Sequence, residues 1–300
     1  MEESVVRVKG VTKDRGSLQL GPLDLDIPSG YVTAIVGSNG SGKSTLINMI
    51  MQVVHPDGGS IELFDHKIAG EHQWQLKQNI GYVPEKSWSE QDGETLERIA
   101  AFTRHWYPSW NQGLYERLVR LFEINPKQKF NKMSKGMRRK CEIILGIAHE
   151  PDMLILDEPS SGLDPFAWKM MMDEIKDYMN RGDRTVLLAS HIVEEIKRLA
   201  DYVVFMHKGK LLGMFEKDQL LDDCKTLWVE IPDWGTDLNH ELPGVIARED
   251  ERTNVVKIVT LNVTATEQAL QQRGWKVVRT AMMELDEIFM HLIQRSAIKK

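Results

Sequence analysis

Short apolar runs alternate with longer amphipathic stretches through most of the chain. Residues 5–8 and 23–27 are apolar or alternating runs separated by Lys13-Asp14-Arg15-Gly16-Ser17, which has turn composition, so they predict a strand pair. Residues 31–36 are β-branched and aromatic and read as a buried strand, followed by a glycine-rich loop and a helix start at 46–51. The turn Pro56-Asp57-Gly58-Gly59-Ser60 delivers a strand at 61–64, and residues 80–83 give another that ends at Pro84-Glu85. From about 86 to 150 strand signals thin out, and helices are predicted at 95–106, 111–123 and 134–149. Asn125-Pro126 stops the second of these and Ser134 caps the third. Alternation then resumes, with strands at 153–156, 185–189 and 202–206 and helices at 165–180 and 192–200. This order argues for an α/β fold with a largely parallel sheet covered on both faces, interrupted by a helical insertion. Beyond residue 225 the texture changes to strands at 228–231, 255–259 and 275–278 and helices at 266–273 and 285–295. The organisation expected is a domain over 1–224, with a helical subdomain at about 86–150, and a small α+β unit over 225–300.

Composition narrows the class of protein. With 38 Lys plus Arg against 44 Asp plus Glu, the net charge of −6 gives no electrostatic reason to expect nucleic acid as the partner. Nowhere do 18 apolar residues run together, and Met1-Glu2-Glu3-Ser4 lacks the basic and apolar regions of a signal peptide. The expectation is a cytoplasmic protein whose membrane role, if it has one, comes through another chain. Cys141 and Cys224 stand apart with no ligand spacing around them and read as reduced structural thiols.

The loop Gly37-Ser38-Asn39-Gly40-Ser41-Gly42-Lys43-Ser44-Thr45 fits G-x-x-x-x-G-K-[ST] in the strand–loop–helix context that pattern requires. Glycines let successive N–H groups aim at phosphate oxygens, and the helix N-terminus adds its partial positive charge. Lys43 would bridge the β- and γ-phosphates, and the Ser44 hydroxyl would ligate Mg²⁺. An apolar strand ending in Asp157-Glu158 aims two carboxylates at the same crevice, the first suited to a metal shell and the second to orienting water. Taken alone, Asp-Glu-Pro also serves simply to end a strand. Ser190-His191 ends the next strand, where a histidine can reach a γ-phosphate, although an isolated strand-end histidine is more often structural. Phe102, Trp106, Tyr107 and Trp110, with Trp88 just before them, read first as packing of the helical subdomain. A groove for a helix of a membrane subunit is the sharper alternative. Arg138-Arg139-Lys140 reads as a solvated helix face.

In order and spacing these segments resemble the nucleotide-binding subunits of ABC transporters over roughly residues 5–220. The resemblance makes Gly37 to Thr45 the Walker A loop, Asp157 the Walker B aspartate, Glu158 the catalytic glutamate and His191 the switch histidine. It makes Ser161-Gly162-Leu163-Asp164 the D-loop, and places Ser134-Lys135-Gly136 on the family signature, so that Ser134 and Gly136 would complete the site of a second chain in trans. Three regions depart from the family pattern. Met133, Lys135 and Met137 replace the usual signature residues; Glu85 stands where a glutamine is expected and would reach Mg²⁺ as a carboxylate; and Arg15 or a neighbour stands where an aromatic residue would stack on adenine. The P-loop ATPase core so implied has a mainly parallel sheet, an antiparallel N-terminal β-subdomain, a helical insertion and a small C-terminal α+β extension. Its cofactors would be ATP and Mg²⁺, and it would pair with a second copy of itself or a paralogous ATPase. Separate integral-membrane subunits would hold it at the inner face of the cell membrane. The Glu85 and Ser-Lys-Gly-Met variants look most like ATPase subunits of small bacterial exporters. A soluble ABC-type ATPase of an assembly complex is the rival, and a generic P-loop kinase or GTPase leaves Ser134, Asp164 and His191 unexplained. No site is assigned beyond residue 225.

Overall fold

A computed structural model describes residues 3–67, 73–86, 93–231, 242–250 and 254–298. It divides into two compact units, Met1–Leu211 and Leu212–Lys300. In the first, β1 (Ser4–Asp14), β2 (Gln19–Pro28), β4 (Gly58–Leu63) and β5 (His66–Lys67) form an antiparallel sheet in the order β2-β1-β4-β5. Between β2 and β4 the chain makes β3 (Val32–Val36) and α1 (Lys43–Ile50). The short helix α2 (Gln73–Lys77) and strand β6 (Ile80–Val83) follow, then α3 (Leu96–Trp106), α4 (Gln112–Leu121) and α5 (Lys135–Ala148). Strands β7 (Met153–Asp157), β8 (Thr185–Ser190) and β9 (Tyr202–His207) alternate with α6 (Pro165–Met179) and α7 (Val193–Leu199).

Strands β3, β7 and β8 are buried along their whole length, as expected of parallel strands covered on both faces, and they run in the order β9-β3-β8-β7-β6. Because side chains alternate across a strand, Val83, Leu154, Leu156, Val186 and Leu188 join one core cluster with the helical insertion. Leu114 and Leu118 of α4 and Ile143, Ile144 and Ile147 of α5 close that cluster around Phe122 and Phe130. Burying each such side chain contributes roughly 1.5–3 kcal/mol as an upper estimate. Caps fix the helix starts: Thr95 accepts from Arg98 N–H, Asn111 from Leu114 N–H, Ser134 from Met137 N–H, and Asp164 from Phe166 and Ala167 N–H.

The expectation of a solvated face at Arg138-Arg139-Lys140 fails for Arg139, which is buried. Trp110 packs against the core as expected, but Phe102 and Trp106 are exposed. Trp88 lies outside the described residues.

The chain passes into the second unit within β10 (Lys210–Glu216), followed by α8 (Lys217–Asp223), β11 (Lys225–Glu230), β12 (Val245–Asp250), β13 (Val255–Thr260), α9 (Val263–Gln272), β14 (Lys276–Met282) and α10 (Leu285–Ile298). Its sheet is antiparallel in the order β12-β13-β11-β14. The apolar side chains Leu227, Val229, Val256, Ile258 and Leu270 pack with Trp275.

Candidate active site

Register alone brings the candidate residues to one edge. Parallel pairing sets Val83 beside Leu156, Leu156 beside Leu188, and Ala34 beside Leu188. Two residues on, Val36 is paired with Ser190, and Glu85 and Glu158 follow just past the ends of β6 and β7. His191 and Gly37 come one residue later, at the carboxyl ends where an α/β sheet presents its ligand crevice.

The cradle is built by close backbone packing. Gly40 at φ +77° and Gly42 at φ +110° hold left-handed conformations open cheaply to glycine alone. At Gly37 a Cβ would stand 2.4 Å from the Met206 carbonyl oxygen, so no side chain fits. Gly42 caps α1 without a side-chain bond and no acid lies in the first turn, which leaves the helix N–H groups facing the crevice. A pocket of about 170 Å³ results, lined by Leu18, Asn39 to Thr45, Glu85 and Glu158.

The charged side chains converge on Glu158. Lys43 Nζ donates to the Gly37 carbonyl at 2.8 Å and lies 3.6 Å from Glu158 Oε1. His191 Nδ1 is 2.7 Å from Glu158 Oε2. Glu158 itself sits at φ +49°, a conformation costly for a residue with a Cβ, and its N–H donates to the Ala189 carbonyl. Asp157 is 1% exposed; burial pushes its carboxyl up to about 6, against the Ser44 hydrogen bond, with Glu85 and Glu158 adding to the rise. Its Oδ1 and the buried Ser41 Oγ have no hydrogen-bond partner among the described residues. Ser41 lines the pocket and Asp157 bonds to Ser44, which lines it too, so these unpartnered polar atoms are what a cation and a phosphate would satisfy.

Other expected site residues lie elsewhere. Ser134 and Gly136, at the start of α5, do not line this pocket; the Gly136 backbone instead packs on Gly162, whose carbonyl oxygen would be 2.6 Å from a Cβ at 136. Arg15 is exposed and does not line it either, whereas Leu18 of the same loop does. Ser38 belongs to the cradle through its carbonyl, which accepts from Ser41 N–H.

Sequence reasoning missed the supports of His191. Ser190 Oγ donates to Glu195 Oε2 at 2.7 Å and accepts from Ile192 N–H, while the Trp168 indole donates to Glu195 Oε1. Glu195 is fully buried, and its place in an amphipathic helix gave no signal of this. It also missed Arg139, whose signal was only its position in the helix carrying Ser134.

Residues 20–161 match the family model for the ABC transporter. The chain carries the ATP-binding cassette of that family. Among curated relatives, the cassette protein is 28% identical over 208 residues to the ABC transporter ATP-binding protein YtrB of Bacillus subtilis, covering 69% of this chain and 70% of the relative. It is 27% identical over 241 residues to the Nod factor export ATP-binding protein I of Burkholderia orbicola, covering 78% and 79% respectively. A solved ATP-binding subunit of an ABC transporter superposes with a TM-score of 0.65 at 26% identity, covering 73% of this chain and 92% of that one. A dimeric bacterial ABC transporter cassette, at 21% identity and TM-score 0.63, shares the fold over 70% of this chain and 98% of its own. The cassette is an ATPase.

Proposed function

We propose that the cassette is the motor subunit of an ABC exporter, working as a head-to-tail pair beneath separate membrane subunits. The observation that carries this reading is an incomplete site: the pocket holds Lys43, Ser44 and Glu158, but the capped start of α5 with Ser134 and Gly136 lies outside it. A second copy, turned head to tail, would supply that helix start to the phosphate.

Ser44, Asp157 and Glu85 would hold Mg²⁺, whose charge would offset that of the phosphates when bound. Glu158 orients and deprotonates the attacking water, and His191, hydrogen-bonded to Glu158, fixes its carboxylate. Lys43 exchanges its bond to the Gly37 carbonyl for phosphate oxygens and stabilises the charge developing there.

Contact with a membrane subunit is assigned to the groove of about 580 Å³ lined by Met51, Tyr82, Phe102, Trp106, Tyr107 and Glu142. Exposed aromatics beside a groove suit an apolar helix face. Support for export comes from the Nod factor export relatives.

The test is Glu158→Gln. The variant should lose hydrolysis by at least about 100-fold, the usual contribution of a general base, and should elute as a dimer with ATP. Wild-type turnover, or a strict monomer with ATP, would contradict the reading. Purification from detergent-solubilised membranes should bring a multi-span partner chain, whereas only soluble partners would favour an assembly complex.

A further inference from the structure

We infer that Arg139 is a positioning residue for Glu85, tying the helix that carries Ser134 to the strand end that carries Glu85. Arg139 lies one turn into α5 and is only 3% exposed. Its guanidinium donates from Nη1 to the Pro84 carbonyl, from Nη2 to the Glu85 carbonyl at 2.7 Å, and from Nη1 to Glu142 Oε2 at 3.1 Å. Glu142 is buried as well.

A buried ion pair is weak evidence for stability, because desolvation offsets most of the attraction. What this pair fixes is direction. The planar fork grips two consecutive carbonyls while Glu142 neutralises it, so the backbone around Glu85 cannot rotate without breaking charge-assisted bonds. Among the described residues no hydrogen bond holds the Glu85 carboxylate, which nevertheless lines the nucleotide pocket. Its placement is therefore inherited from its own carbonyl, and so from Arg139. Glu142 also lines the aromatic groove, which puts the pair between that groove and the nucleotide.

This inference rests on Glu85 belonging to the Mg²⁺ shell. The experiment measures binding of fluorescent ADP to the full chain with Mg²⁺ and with chelator, and takes the ratio of the two affinities. Glu85→Ala should lower that ratio about tenfold, the lower end of the loss typical around a metal site. R139M/E142L, which removes both charges together so that neither is left buried and unpaired, should lower it comparably while binding without Mg²⁺ changes less than about twofold. Adding Glu85→Ala to that pair should cost nothing further, because all act through one group. Arg139→Lys keeps the charge but not the fork and should not restore the ratio. An unchanged ratio in R139M/E142L or in Arg139→Lys, or losses that multiply with Glu85→Ala, would overturn the role of Arg139. An unchanged ratio in Glu85→Ala itself would remove Glu85 from the metal shell, and the inference with it.

Discussion

Replacing Asp157 with Asn should make the nucleotide-free protein gain stability relative to wild type as the pH rises. Burial lifts the Asp157 carboxyl from 3.8 to about 6. At 1.36 kcal/mol per pK unit, keeping it ionised in the empty fold costs about 3 kcal/mol once the pH exceeds both values. The sign is opposite to that of a salt-bridged aspartate. Here the folded state holds the proton more tightly, so stability is greatest below the unfolded value and is lost as pH rises through about 6. Of that loss, on the order of 1 kcal/mol falls between pH 5 and pH 8. An asparagine in its place cannot titrate, although its amide has one hydrogen-bonding position that Asp157 leaves unfilled, a fixed cost of about 1–3 kcal/mol. The quantity to read is thus the pH dependence of the difference, free of that constant. Thermal unfolding in chelator should show the variant gaining on wild type by about 3–6 °C from pH 5 to pH 8. A difference that stays constant over that range would refute the account of Asp157.

Three further outcomes follow from the geometry. Gly136→Ala drives a methyl into the Gly162 carbonyl and displaces the start of α5, so hydrolysis should fall by about 100-fold with ADP binding unchanged; phosphate release and equilibrium binding check the two halves. Tyr178→Phe removes a buried bond to the Pro151 carbonyl at 2.8 Å, but that oxygen still accepts from Arg184, so chemical denaturation should show a loss of only about 1 kcal/mol. F102A/W106A removes exposed rings, so stability should change by less than about 0.5 kcal/mol while transport by the assembled complex is lost; a large drop in melting temperature would assign the rings to packing instead.

The parallel sheet was legible because fully buried strands write themselves as unbroken apolar runs, as in Met153 to Leu156 and Thr185 to Ala189. One strand that does not was missed. Val245–Asp250 lies at a sheet edge and ends in Arg248-Glu249-Asp250, charges that blunt an edge and also mimic a loop. At the candidate site, what a local pattern carries was legible: the cradle, Asp157-Glu158 and Ser190-His191 each sit at or just past the end of a strand. Chemistry made by distant partners was not. Arg139 sits in a basic triplet, and nothing local says that its neighbours will be the carbonyls of residues 84 and 85. The 2.7 Å bond joining His191 to Glu158 likewise depends on strand pairing across 33 positions.

That row of strand ends gives the protein two unequal rims. At the carboxyl rim the chemistry is counted in residues from the last paired position, so one residue gained or lost between Val32 and Gly37, or between Met153 and Glu158, would move a functional group by a strand step and turn it to the opposite face. At the opposite rim the strands begin at Val32, Met153 and Thr185, and no group that the chemistry requires is counted from there. Length variation among relatives should therefore collect before these strands and vanish after them, a lopsidedness that length differences alone would reveal.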